Sequence, residues 1–192
     1  MGVYELILRR RTIRQFQPVP VSRSMLEKIV NAGRLAPSAG NLQPLEFVAV
    51  DEEETRKLIF ECLRWAGYIA PRGDPVPGHE PTAYIVSLVN LKIREKGYEY
   101  DVGAAMENMT LAAWEEGIGS CWLISVDRKK LAEILVIPGE YRVDSVLALG
   151  YPAEKPVAEE FQESVKYWKD EAGVLHVPKR GLKDILHFNR FD

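Results

Sequence analysis

The densest concentration of reactive groups lies near the start of the chain. Arg9, Arg10, Arg11 and Arg14 put four guanidinium groups within six residues, and Thr12 adds a hydroxyl. Like charges this close repel one another unless an anion neutralises them. Arginine forks match phosphate oxygens bidentately, and the threonine hydroxyl can donate one more hydrogen bond, so the cluster is a candidate phosphate site. The plainer alternative is a solvated helix end, where cations offset the negative pole of the helix dipole. Spacing alone leaves both open.

A second candidate is APSAGNLQP, Ala36 to Pro44, whose two prolines and glycine prevent regular structure and leave backbone amides free to bind. Ser38, Asn41 and Gln43 bring both donors and acceptors, as needed to read the edge of a planar heterocycle. A helix stop followed by a turn into a strand would use the same residues. In EEGIGSCWLISVD, Gly117 and Gly119 end a helix before a short apolar strand. They lack the third glycine of a dinucleotide fingerprint, and no GxxxxGK[ST] phosphate loop is present. Trp122 reads there as packing. Lys179 and Arg180, in VPKRGLKDILHF, precede an expected terminal helix and could add two cations to a phosphate site. His79, His176 and His187 are scattered without metal-ligand spacing, and no GxSxG elbow or HExxH motif points to hydrolysis.

These groups need elements to position them. The 192 residues, 46% hydrophobic, suffice for one substantial core and not two. A 28% charged fraction with net charge −3 provides no global field toward nucleic acid or an anionic membrane. One short basic run without an accompanying stripe is likewise a poor nucleic-acid surface. Cys62 and Cys121 sit in apolar segments without a CxxC pair, which predicts a reduced, intracellular, cytoplasmic setting. No apolar run reaches the ~18 to 20 residues that span a bilayer, and the opening residues lack the order of a signal peptide.

Periodicity predicts a first helix over Val3 to Arg10. A second opens with a Ser24–Glu27 capping box and runs through Leu26, Ile29, Val30 and Gly33 to stop near Pro37. EFVAV and AYIVSLVN read as buried strands, with a helix between them through Leu58, Ile59, Cys62 and Leu63. Gly67 to Pro81 is the longest loop, of the kind that forms lids or binding segments. Val102, Ala105, Met106, Met109, Ala112 and Ala113 line one face of a central helix, while Leu111 and Trp114 make it apolar on a second side. SCWLI, a short helix over Arg128 to Leu135, and SVLALGY complete an α+β or α/β sandwich. The tail from Pro152 is polar, rich in aromatics and without a core of its own, so it is expected to lie on something, a partner subunit being the natural candidate.

Taken in order, RRRTIRQF, APSAGNLQPLEF, DVGAAMENMTLAAWEEGIGSCWLI, GYPAEKP and PKRGLKDILHF together resemble the nitroreductase family over nearly the whole chain. The resemblance raises the phosphate reading of the arginine cluster above the solvated helix end. It implies a single α+β domain over residues 1–192, with a central, mostly antiparallel sheet flanked by helices. It also implies an entwined homodimer whose C-terminal extension, residues 152–192, lies on the partner, with one FMN in each of two sites built from both chains. By position, Arg10, Arg11, Thr12 and Arg14 match the stretch that holds the phosphate, ribityl chain and pyrimidine edge. Pro37, Ser38, Ala39, Asn41 and Gln43 match the loop lent by the second subunit. Leu123, Ile124 and Ser125 match backbone groups facing the isoalloxazine, and Lys179 and Arg180 the basic pair closing on the phosphate. Some members separate that pair by one residue. The family often has a polar or basic flavin contact in the loop before the central helix, where Arg72 is the candidate here.

The implied activity is transfer of two electrons from NAD(P)H to a small flat acceptor, a nitroaromatic, quinone or similar molecule, by ping-pong exchange. The flavin then carries the chemistry, with no nucleophilic side chain and no metal. A non-enzymatic flavin-binding or regulatory protein, a flavin-dependent dehalogenase and a flavin-fragmenting enzyme are the alternatives on the same fold.

Overall fold

A long apolar run between two turn-rich stretches becomes the centre of the molecule. In a computed structural model describing residues 2–191, AYIVSLVN forms strand β2 (Ala83–Asn90), with seven of its eight residues buried. Around it lie β1 (Leu45–Val50), β3 (Gly119–Leu123) and β4 (Tyr141–Gly150), in the order β1-β2-β4-β3. Every pairing in this sheet is antiparallel, so the α+β expectation holds over an α/β one.

Period-2 alternation divides the sheet's side chains between two helical layers. Ile85, Val89, Leu147 and Leu149 pack with Leu26 and Ile29 of α2 (Arg23–Arg34) and with Met106 and Met109 of α4 (Glu99–Glu115). On the other face, Tyr84, Val86, Val146 and Ala148 meet Ile59 of α3 (Glu53–Glu61) and Leu131 of α5 (Arg128–Ile134). Helix α1 (Val3–Arg9) buries only Leu6. In α4 the predicted stripe is buried at Val102, Ala105, Met106, Met109 and Ala113, while Ala112, Leu111 and Trp114 are half-buried. No helix among the described residues is long and apolar enough to cross a membrane.

Four sequence expectations need correction. The cap of α2 is Ser22, whose side chain accepts from the Met25 N–H, while Ser24 bonds to the Ser22 hydroxyl. Either serine has the right chemistry, and the direction of the incoming chain decides. EFVAV is not fully buried: β1 is an edge strand with only Val50 buried. The tail forms a small sheet of its own, β5 (Val157–Glu160), β6 (Trp168–Lys169) and β7 (Leu175–Lys179), ordered β5-β7-β6 around a buried Leu175. Across it, His176 lies between Glu159 and Asp170, and the Glu159 contact raises the imidazole pKa. The expected terminal helix is a single 3₁₀ turn, Leu182–Asp184. Leu182, Ile185 and Phe188 are all exposed, and a short helix without a buried face has little to hold it.

Candidate functional site

Past α1 the arginine segment runs extended beside the outer edge of β3. Thr12 forms a parallel bridge with Ser120, and the Ile13 N–H donates to the Ser120 carbonyl at 2.9 Å. Two glycines permit this approach. A Cβ on Gly119 would sit 2.7 Å from Ile13 Cγ1, and one on Gly150 would sit 2.8 Å from Phe16 Cδ1. Ile13 and Phe16 are fully buried and staple the segment to the sheet. On its polar side, the Glu154 carboxylate accepts the Arg14 and Gln15 backbone N–H groups. The Gln15 side chain donates to the Asp74 carbonyl (2.9 Å) and accepts from the Val76 N–H (3.1 Å), clipping the Gly67 to Pro81 loop to the same segment.

The guanidinium groups have different surroundings. Arg11 Nη1 donates to the Leu8 and Arg10 carbonyls at 2.8 and 2.6 Å, closing the end of α1, so Arg11 partly serves as a helix-end cation. Burial, and then the charge on Arg10, lower its pKa. Arg10 Nε lies 3.6 Å from Glu107. Arg14 is different. Its Nε is buried without a partner among the described residues, and its guanidinium sits over the Tyr167 ring with Cζ 5.2 Å from the centroid. It also lies beside Cys121, whose thiol burial pushes up to about 11 against the opposing Arg14 charge. A buried guanidinium N–H without an acceptor costs stability, and on the same segment the Arg10 charge opposes that of Arg11. An anion or electron-rich edge would relieve both.

The second candidate loop is held from below. Asp101, at the start of α4, takes the Ala39 N–H on Oδ1 (3.0 Å) and Arg94 Nη1 on Oδ2 (3.0 Å), with its side chain only 3% exposed. The Ser38 hydroxyl accepts from the Gln43 N–H at 3.0 Å. Gly40, Asn41 and Gln43 have φ of 61°, 52° and 50°, left-handed on either side of Leu42, which costs energy at the two non-glycine positions. The result is an exposed loop at Pro37, Ala39, Asn41 and Gln43, with Ser38 half-buried.

Of the remaining predicted residues, Leu123 is buried in β3, whereas Ile124 and Ser125 are exposed beyond it. The Ser125 carbonyl already accepts from Arg64 N–H at 3.0 Å, and the Ile124 carbonyl from Val126 N–H and Arg128. Trp122 packs less than expected, at 39% exposure, with its indole N–H on Ser145 Oγ. Lys179 ends β7 and Arg180 donates to the Asp184 carbonyl; among the described residues neither hydrogen-bonds or ion-pairs with the arginine segment. The Arg72 side chain is exposed.

One chain does not bring the two main candidates together. Through the register, Thr12 stands level with Ser120, Leu149 and Ala83, whereas Pro44 accepts from Asn90 at the opposite end of β2. Strand spacing puts them about 19 Å apart across the sheet and about 24 Å along it, or roughly 30 Å diagonally. Sequence reasoning missed Glu154, Gln15 and the Asp101–Arg94 pair. GYPAEKP contained the first, but nothing in its spacing marks a carboxylate that folds back onto Arg14.

Residues 7–151 match the model of the Nitroreductase family. A relative from Archaeoglobus fulgidus, provisionally named an NADH dehydrogenase/NAD(P)H nitroreductase, is 37% identical over 158 residues, covering 79% of this chain and 86% of its own. The FMN-dependent nitroreductase of Clostridium difficile superposes with TM-score 0.70 at 24% identity, over 97% of this chain and 98% of its own. A Desulfovibrio desulfuricans protein, provisionally named a nitroreductase and solved in complex with FMN, gives TM-score 0.70 at 24% identity, over 100% of this chain and 99% of its own. At such identities the two structures speak for the fold.

Proposed function

The chain belongs to the nitroreductase family, and on that premise we propose that it is an FMN-dependent oxidoreductase that takes two electrons from NAD(P)H and passes them to a small flat acceptor. The observation that carries this reading is the buried Arg14 Nε, unpartnered among the described residues, on the same β3-edge segment that carries Arg10 and Arg11. Such a cluster suits a mononucleotide with one phosphate and one electron-rich ring edge.

Bound flavin would supply the redox chemistry itself. Arg10, Arg11 and the Thr12 hydroxyl hold the phosphate and ribityl chain. Arg14 would offer its positive charge to the ring edge, a preorganised electrostatic role. The backbone around Leu123, Ile124 and Ser125 would border the ring, and Lys179 and Arg180, which do not reach the arginine segment within one chain, would add their charges to the phosphate. The Gly67 to Pro81 loop, clipped to Gln15, forms the wall against which acceptors lie.

The purified protein is expected to be yellow and to release FMN, not FAD, on denaturation. With one ring serving donor and acceptor in turn, double-reciprocal plots of NADH or NADPH against a nitroaromatic or quinone should be parallel. Release of FAD, or an apoprotein that takes up no FMN, overturns the site. Intersecting lines overturn the shared-face mechanism, and bound FMN with no nicotinamide oxidation under any acceptor points to a flavin sensor instead.

We further infer a homodimer. The roughly 30 Å between Thr12 and Pro44 exceeds the reach of one mononucleotide, so a complete site takes Pro37, Ser38, Ala39, Asn41 and Gln43 from a second copy. Val3 and Tyr4 are 70% and 71% exposed on α1, and Tyr100 is 84% exposed on α4, an apolar surface that a second copy would cover. Light scattering at micromolar concentration should give twice the chain mass. A folded, flavin-bound monomer would contradict the two-chain site.

A further inference from the structure

The ring of Tyr167, from the C-terminal extension, faces the Arg14 guanidinium. The Arg14 Cζ lies 5.2 Å from the ring centroid, within the ~6 Å over which a guanidinium is attracted to an aromatic face. The ring is itself held. It packs against the core cluster that includes Cys62, Leu63, Trp65 and Ala66, and Tyr68 leans on it at 5.0 Å between centroids. Two residues on, Lys169 of β6 donates to the Arg72 carbonyl at 3.1 Å, tying the strand that follows Tyr167 to the loop.

Among the described residues no carboxylate pairs with the Arg14 side chain. The nearest candidate, Glu154, turns its carboxylate to the backbone N–H groups of Arg14 and Gln15. The difference matters chemically. A carboxylate would fix the guanidinium by occupying its N–H donors and cancelling its charge. An aromatic face holds the cation through its quadrupole and leaves both charge and donors available to a ligand.

We propose that Tyr167 is a positioning residue that aims the Arg14 guanidinium at the electron-rich edge of the bound flavin, so that the C-terminal extension sets both cofactor affinity and flavin potential. This rests on the flavin reading above. The test compares Tyr167→Phe, Tyr167→Leu, Arg14→Met and the Tyr167→Leu/Arg14→Met double variant, by FMN titration of the apoprotein and by the midpoint potential of bound FMN. Tyr167→Leu should weaken FMN binding about tenfold and make the potential more negative, because the reduced ring loses its counter-charge. Tyr167→Phe, which keeps the ring face, should restore both. In the Arg14→Met background, Tyr167→Leu should cost nothing further. A merely structural role predicts the same loss in both backgrounds, and that result, or equal behaviour of the Phe and Leu variants, overturns the proposal alone. Wild-type protein that takes up no FMN overturns the flavin reading and the proposal with it.

Discussion

Asp101→Ala is expected to lower stability by about 3 kcal/mol, a melting temperature roughly 6 to 12 °C below wild type for a domain of this size. The Asp101 side chain is 3% exposed and that of Arg94 18% exposed. Removing the carboxylate strands a partly buried guanidinium and also orphans the Ala39 N–H, which Asp101 Oδ1 accepts. The geometry of the Ser38 loop should suffer with it, because the left-handed residues Gly40, Asn41 and Gln43 hold only while the surroundings impose them. Replacing both partners, as Arg94→Met with Asp101→Leu, should recover most of the thermal loss, since two apolar side chains need no compensation. The loop would still lack its anchor, so FMN affinity should stay low in the double variant. A melting temperature for Asp101→Ala within ~2 °C of wild type, less than ~1 kcal/mol at this size, would mean that the pair is solvated in solution and the loop is held by something else.

The other large effect is on cofactor affinity. Arg14→Ala should weaken FMN binding by about 1.5 to 3 kcal/mol, roughly 10- to 150-fold in Kd, the range for a hydrogen bond to a charged group. Arg10→Ala should fall in the same range. Arg11→Ala should cost less in affinity and more in stability, because Arg11 Nη1 already serves the Leu8 and Arg10 carbonyls at the end of α1. The three variants thus separate two readings that the bare sequence leaves open. Unchanged affinity in both Arg10→Ala and Arg14→Ala would return the cluster to a solvated helix end.

Elements whose residues carry their own signal were legible from the sequence. AYIVSLVN begins and ends as strand β2 does, at Ala83 and Asn90. The apolar stripe of α4 and the short helix at Arg128 follow the same way, because side-chain period is a local property. The chemical character of the arginine cluster and of APSAGNLQP was equally local. Which serine caps α2 was not, since Ser22 and Ser24 differ only in where the preceding chain leads. The small tail sheet also escaped, because its strands are only two to five residues long and their side chains carry no local period.

At the site the division has the same cause. Residue type and spacing determined that Arg10, Arg11, Thr12 and Arg14 could meet an anion and that Ser38, Asn41 and Gln43 could read a planar edge. Only the folded chain decided that Glu154 fixes the arginine backbone, that Asp101 and Arg94 hold the second loop, and that Tyr167 faces Arg14. It also put the two clusters at opposite corners of one sheet. Period, charge and turn chemistry act over a few neighbouring residues and are written in order along the chain. A partner many residues away is chosen by how the layers close on the sheet, and its side chain carries no local trace of that choice.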